Sequence, residues 1–301
     1  MRASFVLIVS LLACGDPTLP VDGGSDAPAL PDAYRAPYDA GPQFTLGTAD
    51  RPAPVVLPTA YDGTTRLPLI LMLHGDLITG AVEDGYLHFS AAARTSGAYT
   101  VLPRGSMDAD GNPTWNYFGR TGTDDVAYLT SVLDQAEAML PVDTSRVYVF
   151  GHSSGGFMAY RMACEISGRL AAIGTLAGAD FPGATDCVPA RAVSVLQVHG
   201  TADALVPYAG MPGEHTGAVE STQRWAMRAS CDLSMATMSA PFDLDVAVDG
   251  PETVATDYVA GCVGARVTLY TMTGSSHIPS LPMTSTQRFI DWLLMRSMPP
   301  S

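Results

Sequence analysis

The chain has 301 residues, a formal net charge of −14 and 47% hydrophobic residues, and it is long enough to bury the core of one large α/β domain. The acidic balance argues against a nucleic-acid partner, because binding a phosphate backbone requires clustered Lys and Arg and the sequence has no basic stripe. Acidic character otherwise favours solubility and identifies no partner.

The first residues are typical of an export signal. Arg2 supplies positive charge, and residues 5–13 form an apolar run that is too short to span a bilayer. The end of this run, Leu-Leu-Ala-Cys, resembles the lipobox of bacterial lipoproteins, which implies that Cys14 carries lipid and begins the mature protein. We therefore predict a signal peptide over residues 1–13 and a lipid anchor at Cys14, with an ordinary signal peptide as the alternative.

The segment that follows has a different composition. Residues 14–42 are rich in Asp, Pro, Gly and Ala and contain few bulky apolar residues. Such a segment cannot bury enough apolar surface to offset the entropy lost on ordering. We predict that it is a disordered tether, which would hold a folded domain over residues 43–301 away from a membrane surface.

Strand-like and helix-like segments alternate through the remainder of the chain, which is typical of a mostly parallel sheet covered by helices on both faces. Short apolar runs predict strands over residues 67–73, 99–102, 146–150, 170–176, 193–198 and 267–270. Helical spacing of apolar residues predicts helices over residues 124–140, 156–165, 220–229 and 285–296. Residues 235–258 have no clear periodicity, which predicts a loop or a hairpin near the site.

Four cysteines follow the lipobox: Cys164, Cys187, Cys231 and Cys262. An even number of cysteines in an exported protein predicts two disulfides. Three pairings are possible, and we favour the nearest-neighbour arrangement, Cys164–Cys187 and Cys231–Cys262; Cys164 could instead be a small buried residue of a helix. No cluster of Cys and His has the spacing of metal ligands, so no metal site is predicted.

A Gly-x-Ser-x-Gly motif joins the predicted strand over residues 146–150 to a predicted helix. Gly151 and Gly155 have no Cβ, so the backbone can turn sharply and approach neighbouring chain closely. In this strand–turn–helix context the serine hydroxyl projects at the carboxyl end of the strand, as in a nucleophile elbow. We therefore predict that Ser153 is a nucleophile; the alternative is an ordinary strand-to-helix turn.

A serine hydroxyl needs a base and an orienting carboxylate to attack at neutral pH, and after an elbow of this kind the acid precedes the base in the chain. We predict Asp203 as the acid, because it directly follows a strand; Asp180 and Asp186 are rivals in less specific contexts. We predict His277 as the base, because it alone among the six histidines has the right order and lies in a small-residue loop between the last strand and the last helix.

Negative charge on an attacked carbonyl oxygen needs two preset backbone N–H groups. The first is predicted at Ser154, directly after the nucleophile. The second is predicted at Asp76, in the loop after the strand over residues 67–73, with Leu77 as the alternative. Because a carboxylate beside an oxyanion is unfavourable, we expect the Asp76 side chain to face away.

These motifs are part of a wider resemblance to the extracellular polyhydroxybutyrate depolymerase/feruloyl esterase group of α/β hydrolases. The resemblance runs from about residue 45 to the end and is carried, in order, by LPLILMLHG, GNPTWN, DDVAYLTSVL, VDTSRVYVFGHSSGGFMAYRMACE, AAIGTLAG, HGTADALVPY and SSHIP. It implies the α/β-hydrolase fold, with a mostly parallel central sheet and helices on both faces. It also places Ser153, Asp203 and His277 in the catalytic triad.

The same resemblance implies that Trp115 and Asn116 lie near the substrate cleft, with core packing as the alternative for Trp115. It also agrees with the Cys231–Cys262 pairing. The loop SSHIPSLP departs from the group, which often has an aromatic residue after this histidine. The substrate is therefore predicted only as an ester.

We predict from these features a secreted or lipid-anchored serine esterase that hydrolyses carboxylic esters through an acyl-enzyme. Candidate substrates are polyhydroxyalkanoate oligomers, feruloyl esters and acetyl esters. No cofactor, metal or nucleic acid is expected, and membrane contact is expected only through the lipid anchor. The alternatives are a non-catalytic envelope lipoprotein that acts as a binding module and a serine peptidase on the same fold.

Overall fold

The computed structural model describes residues 44–118 and 122–298. The predicted signal peptide, the lipidation site Cys14 and the predicted tether over residues 14–42 lie outside the described residues. The described part contains a central sheet with helices packed on both of its faces.

The helices and strands follow one another in close alternation. The strands are β1 (Phe44–Gly47), β2 (Pro52–Val56), β3 (Leu67–Leu73), β4 (Tyr99–Val101), β5 (Ser106–Met107), β6 (Pro113–Thr114), β7 (Val142–His152), β8 (Ala172–Leu176), β9 (Ser194–Gly200), β10 (Gly210–Met211), β11 (His215–Thr216), β12 (Thr237–Met238), β13 (Thr253–Tyr258) and β14 (Val267–Met272). The helices are α1 (Gly80–Leu87), α2 (Phe89–Thr95), α3 (Asp125–Met139), α4 (Ser154–Glu165), α5 (Ala218–Arg228) and α6 (Met283–Leu294), with short 3₁₀ turns at Ser167–Arg169 and Leu233–Met235.

Ten of the described strands form the main sheet in the order β1-β2-β4-β3-β7-β8-β9-β14-β13-β12. The central strands β4, β3, β7, β8, β9 and β14 are parallel to one another. The two strands at each edge are antiparallel. Because the parallel strands end at the same edge of the sheet, the loops that follow β3, β7, β9 and β14 lie near one another there.

Successive residues of the central strands pack on opposite faces of the sheet, as the pleat requires. In β3, Leu69 and Leu71 belong to the apolar cluster under α3, α4 and α5, whereas Ile70 and Met72 belong to the cluster under α2 and α6. All four side chains are fully buried. Burial on both faces explains why this strand is a continuous apolar run rather than an alternating one.

All the predicted strands of the central sheet and all the predicted helices are present. Their ends differ from the prediction by a few residues. The largest difference is at β7, which begins at Val142. Helix α3 begins one residue after the predicted position because Asp124 is its N-cap and accepts the N–H of Ala127 at 2.9 Å. The aperiodic segment over residues 235–258 contains β12 and the whole of β13, which pair with each other antiparallel.

Both predicted disulfides are present, in the nearest-neighbour pairing. Cys164 near the end of α4 is bonded to Cys187 in the segment between β8 and β9. Cys231 after α5 is bonded to Cys262 in the turn between β13 and β14. A cross-link that closes a loop of this length stabilises a domain by about 2–4 kcal/mol, mainly by limiting the unfolded chain.

Candidate active site

Ser153 lies in the sharp turn between β7 and α4. Its backbone has a φ of 53° and a ψ of −121°, a conformation that costs about 1–3 kcal/mol for a residue with a Cβ. The turn also depends on the two glycines of the motif. A Cβ on Gly151 would collide with the carbonyl of Gly155, and a Cβ on Gly155 would collide with the carbonyl of Leu73.

Three side chains from different loops form a continuous hydrogen-bonded chain at the carboxyl edge of the sheet. His277 Nε2 lies 2.9 Å from Ser153 Oγ. His277 Nδ1 lies 2.8 Å from Asp203 Oδ2. The structure therefore brings together the three residues that the sequence predicts as nucleophile, base and acid, from the loops after β7, β14 and β9.

The carboxylate of Asp203 is buried, and several protein groups donate hydrogen bonds to it. Its Oδ1 accepts the N–H groups of Leu205 and Val206 at 2.9 and 2.8 Å. Burial alone raises the pKa of this carboxyl, but the hydrogen bonds from His199 and His277 outweigh it and hold the pKa of Asp203 below its ordinary value. Asp203 is therefore ionised and can hold the ring of His277.

His199, which begins the loop of the acid and is expected from the sequence to support it, contacts Asp203. His199 Nδ1 lies 3.0 Å from Gln197 Nε2, which can only donate, so the proton of the neutral ring is on Nε2. That N–H lies 2.8 Å from the carbonyl of Val206 and 3.2 Å from Asp203 Oδ2. Gln197 in turn accepts the hydroxyl of Tyr160 at 2.8 Å. Buried hydrogen-bonded side chains thus hold Asp203 in place.

The two backbone N–H groups predicted to bind an oxyanion are both free in the described part of the chain. The Ser154 amide is the first of α4 and has no intrahelical partner. The Asp76 amide donates no hydrogen bond to any described residue. By contrast, the Leu77 amide donates to the carbonyl of Pro113 at 2.9 Å, so this alternative donor is already engaged.

The loop that carries Asp76 is held from several sides. The indole N–H of Trp115 donates to the carbonyl of His74 at 2.8 Å. The amide of Gly75 donates to Glu83 Oε2 at 2.8 Å. The Asp76 carboxylate accepts the hydroxyl of Thr114 at 2.6 Å. These contacts preset the loop, which is what electrostatic stabilisation of a transition state requires.

Trp115 is buried beside the loop that carries Asp76. Its side chain is 2% exposed, and its ring centre lies 4.9 Å from that of His74. The indole therefore packs in the core beside the His74 loop, and its role near a substrate cleft stays a prediction. Asn116 is half-buried; its backbone N–H donates to Asp125 Oδ2 at 2.6 Å and its side chain donates to the carbonyl of Thr123 at 2.8 Å.

Aromatic residues that the sequence motifs did not assign lie along α4. Phe157, one turn after Ser153, stacks on Tyr117 at 4.9 Å and meets Phe118 edge-on at 5.4 Å. Phe118 also packs against Phe181 at 5.4 Å. Beside this aromatic wall (Tyr117, Phe118, Phe157 and Phe181) lies a cavity of about 390 Å³, whose lining includes Tyr117, Phe118, Arg161, Phe181 and Glu214. The adjacency of Tyr117 and Phe118 to GNPTW was the available sequence signal.

The fold matches that of solved esterases. An acetyl xylan esterase from Aspergillus awamori superposes with a TM-score of 0.61 over 84% of this chain and 100% of its own, at 14% sequence identity. The chain has the α/β-hydrolase fold. The predicted fold class is therefore confirmed, and the loops that carry Ser153, Asp203 and His277 lie at the edge where open α/β sheets gather functional groups.

Curated relatives of the chain include three kinds of esterase or depolymerase. The chain is 32% identical over 146 residues to the bifunctional acetylxylan esterase/xylanase XynS20E of Neocallimastix patriciarum, over 48% of this chain and 21% of that protein. It is 25% identical over 189 residues to feruloyl esterase B of Piromyces equi, over 59% and 35% of the two chains. It is 30% identical over 127 residues to poly(3-hydroxyalkanoate) depolymerase C of Paucimonas lemoignei, over 41% and 30%.

These similarities confirm the resemblance to the depolymerase and feruloyl esterase group. The match spans less than two thirds of each of these three relatives' own length. No family model matches the chain. Over residues 44–118 and 122–298, no group of three His, Cys, Asp or Glu side chains is placed to hold a metal ion. No helix of that same part is long and apolar enough to cross a membrane.

Proposed function

We propose that the protein is a serine esterase that hydrolyses carboxylic esters through an acyl-enzyme. The observation that carries this proposal is the unbroken chain from Ser153 Oγ through the ring of His277 to Asp203 Oδ2, with distances of 2.9 and 2.8 Å. The similarity to proteins named as acetylxylan and feruloyl esterases and as a polyhydroxyalkanoate depolymerase supports the reaction class.

In the first step Ser153 Oγ attacks the ester carbonyl carbon while His277 Nε2 accepts the hydroxyl proton. Asp203 keeps the other ring proton on Nδ1 and stabilises the imidazolium that forms. The carbonyl oxygen becomes negative and receives hydrogen bonds from the amides of Asp76 and Ser154. His277 then returns its proton to the departing alkoxide oxygen, which leaves an ester between Ser153 and the acyl group.

Hydrolysis of the acyl-enzyme repeats these roles with water as the nucleophile. His277 Nε2 removes a proton from the water as its oxygen attacks the acyl carbon, and the same two amides hold the oxyanion. Collapse of this second intermediate breaks the bond to Ser153 Oγ, which recovers the proton from His277. The products are a carboxylic acid and the free enzyme.

The candidate substrates are acetyl, feruloyl and hydroxyalkanoate esters, which are the ester classes named in the relatives. The aromatic wall beside α4 favours a substrate with an apolar or aromatic part. Phe157 lies one turn from Ser153, and its ring packs against Tyr117 and Phe118. A flat acyl or alcohol group can pack against these rings over a large area.

We also propose that the protein is exported and held to a membrane by lipid on Cys14. The apolar start of the chain and its Leu-Leu-Ala-Cys sequence support this. The two disulfides support export as well, because such bonds persist in oxidising compartments. Metabolic labelling with a radioactive fatty acid tests the anchor: wild-type protein should take up label, Cys14→Ala should not, and unlabelled wild type would contradict it.

The activity is tested with acetyl, feruloyl and hydroxybutyrate esters, and with matched amides, on the wild type, Ser153→Ala and the control Ser276→Ala. We expect ester hydrolysis to fall about 10⁴- to 10⁶-fold in Ser153→Ala, because the triad acts as a unit, and to be unchanged in the control. A fluorophosphonate should label folded wild type at Ser153. Absence of that label would favour a binding module, equal turnover of amides would favour a peptidase, and full activity of Ser153→Ala would refute the proposal.

A further inference from the structure

A second charged pair lies beside the proposed triad. Glu83 of α1 is fully buried, and His152, the residue directly before Ser153, is 5% exposed. His152 Nδ1 lies 3.0 Å from Glu83 Oε1. Neither residue takes part in the proton transfers proposed for Ser153 and His277. Burying a carboxylate costs several kcal/mol unless a partner compensates, so the pair calls for an explanation.

The pair contacts three separate parts of the site. Glu83 Oε2 accepts the amide of Gly75, in the loop that carries the proposed oxyanion donor, at 2.8 Å. His152 Nε2 lies 3.1 Å from the backbone carbonyl of His277. A Cβ on Gly75 would lie 3.5 Å from Ser153 Cβ and 3.6 Å from His152 Nδ1. The oxyanion loop, the nucleophile turn and the loop of the base therefore meet at this pair.

The acceptors around His152 define its protonation. Both ring nitrogens face oxygen atoms, one of Glu83 and one of His277, and a neutral imidazole could donate to only one of them. Burial lowers the pKa of His152, but the Glu83 carboxylate and the His277 carbonyl outweigh burial and raise it. The ring is therefore an imidazolium that donates from both nitrogens, and the buried pair has no net charge.

We propose that Glu83 and His152 are positioning residues of the proposed esterase, which hold the base and the oxyanion loop at a fixed distance from Ser153. This inference depends on the proposed function. Each acts through a backbone group: Glu83 through the Gly75 amide and His152 through the His277 carbonyl. A small displacement of either loop would lengthen the contact from His277 to Ser153 or misplace the oxyanion donor, and errors of about 1 Å can lower a rate 100-fold.

Other contacts keep the loop of the base folded when the pair is removed. The hydroxyl of Tyr86 donates to the carbonyl of Pro279 at 2.6 Å. The amide of Ser280 donates to Asp245 Oδ1 at 2.8 Å. Loss of the pair should therefore lower kcat more than it raises KM, while the loop of the base keeps its shape in the molecules that remain folded.

The kinetic test compares Glu83→Ala, His152→Ala and their double variant with Glu83→Gln. We expect kcat to fall about 10- to 100-fold in both single alanine variants, with KM within about twofold. In the double variant kcat should fall by less than the product of the two single effects, because the two residues contact each other. Glu83→Gln should keep kcat within about fivefold of the wild type. Its amide can still donate to His152 Nδ1, and its carbonyl oxygen can still accept the Gly75 amide.

The matched control is Asp84→Asn, on the neighbouring position of α1. Asp84 is also a buried carboxylate, but its oxygens accept the amide and hydroxyl of Ser90 at the start of α2, away from the site. This variant should lose stability and keep its kcat per active site. Active sites are counted by the burst of product released on first acylation, so that partly folded preparations do not distort kcat.

A measurement without turnover tests the same pair. Ring-¹⁵N spectra of the histidines, assigned with His152→Gln, should show His152 doubly protonated at about pH 7. This pH lies above the ordinary pKa of a histidine, so an unperturbed ring would be mostly neutral there. In Glu83→Gln the same ring should be neutral and protonated on Nε2. A singly protonated His152 in the wild type, or a doubly protonated one in Glu83→Gln, would overturn the proposal even if an alanine variant failed to fold.

Ser153→Ala is measured beside these variants to separate the two proposals. If the wild type shows no ester hydrolysis that is lost in Ser153→Ala, the proposed function is contradicted. A wild type with such hydrolysis, together with full kcat per active site in Glu83→Ala and His152→Ala, contradicts the positioning role alone.

Discussion

His277 Nδ1 lies 2.8 Å from Asp203 Oδ2, although 74 residues separate the two in the chain. The same oxygen lies 3.2 Å from His199 Nε2, so two imidazole rings converge on one carboxylate. An ionised carboxylate can only accept hydrogen bonds, so it keeps a proton on the Nδ1 of His277. The unprotonated Nε2 of His277 then faces Ser153 Oγ, which is the arrangement a general base requires.

Replacing Asp203 by Asn should lower kcat about 10⁴-fold with little change in structure, because an amide of the same shape can donate to the ring and favour the wrong tautomer. The measurement is ester hydrolysis per folded molecule, with folding checked by near-ultraviolet circular dichroism. Loss of less than about tenfold would show that Asp203 does not orient the base.

The matched control is Asp180→Asn, at one of the two acids that compete with Asp203 in the sequence. Asp180 is fully buried, but its Oδ2 lies 3.0 Å from Arg228 Nη1 and not from a histidine. The change should destabilise the protein by breaking a buried ion pair, by about 3–5 kcal/mol. The kcat of the molecules that remain folded should be unchanged. A large loss of kcat would instead indicate that Asp180 acts in the active site.

The protonation of Asp203 also predicts how stability depends on pH. The folded-state pKa of this carboxyl lies below its ordinary value of 3.8, so the native contacts of the carboxylate stabilise the protein fully above that value. As pH falls below 3.8 towards the folded-state pKa, the unfolded chain takes up a proton that the folded chain does not, and this stabilisation is lost. Urea unfolding at several pH values should show the difference between wild type and Asp203→Asn narrowing below about pH 4. A constant difference would contradict the assignment.

Removing the disulfide between Cys231 and Cys262 should reduce the free energy of unfolding by about 2–4 kcal/mol. The bond closes a loop with a sequence separation of 31 residues and lies between α5 and the β13–β14 turn, outside the loops of the triad. Urea unfolding of Cys231→Ala/Cys262→Ala, with kcat measured in parallel, checks this. An unchanged free energy of unfolding, or a large drop in kcat at low temperature, would contradict it.

The central sheet and the triad could be predicted because their signals are local or ordered in the chain. The run Leu67–Leu73 is continuous because both faces of β3 are buried. The serine is recognisable from the glycines that its turn requires, and the chain order then selects Asp203 and His277 among several acids and histidines. In the structure the three side chains that this order selects lie within hydrogen-bonding distance of one another in series.

Other features could not be predicted, because they depend on what surrounds a residue in space. Helix α1 has a sequence, GAVEDGYL, in which nothing distinguishes Glu83 as a buried partner of His152. Trp115 follows a turn-rich segment, and only the packed structure shows that its indole lies against His74. Strand β2, next to the edge strand β1, contains two prolines, which weaken a strand prediction. They are tolerated because β2 pairs with β4 only at Val55 and Val56, beyond both prolines.

The oxyanion loop allows a test in which one change repairs another. Thr114→Val removes the hydroxyl that donates to the Asp76 carboxylate at 2.6 Å, and the freed negative charge can then move towards the oxyanion site. We expect kcat to fall about 3- to 10-fold, because an exposed charge is screened by solvent and salt. Asp76→Ala keeps the backbone N–H, so it should retain kcat within about threefold, and the double variant should behave like Asp76→Ala.

The salt dependence of the same variants separates a charge effect from loop distortion. The loss of kcat in Thr114→Val should shrink as ionic strength rises to about 1 M, because the Debye length falls to about 3 Å and the charge is screened. If the loop is displaced instead, kcat should stay low at all ionic strengths. Steady-state hydrolysis of one acetyl ester across this range measures both. If adding Asp76→Ala fails to restore the rate of Thr114→Val, the carboxylate is not the cause, and Thr114 acts instead by holding the loop in shape.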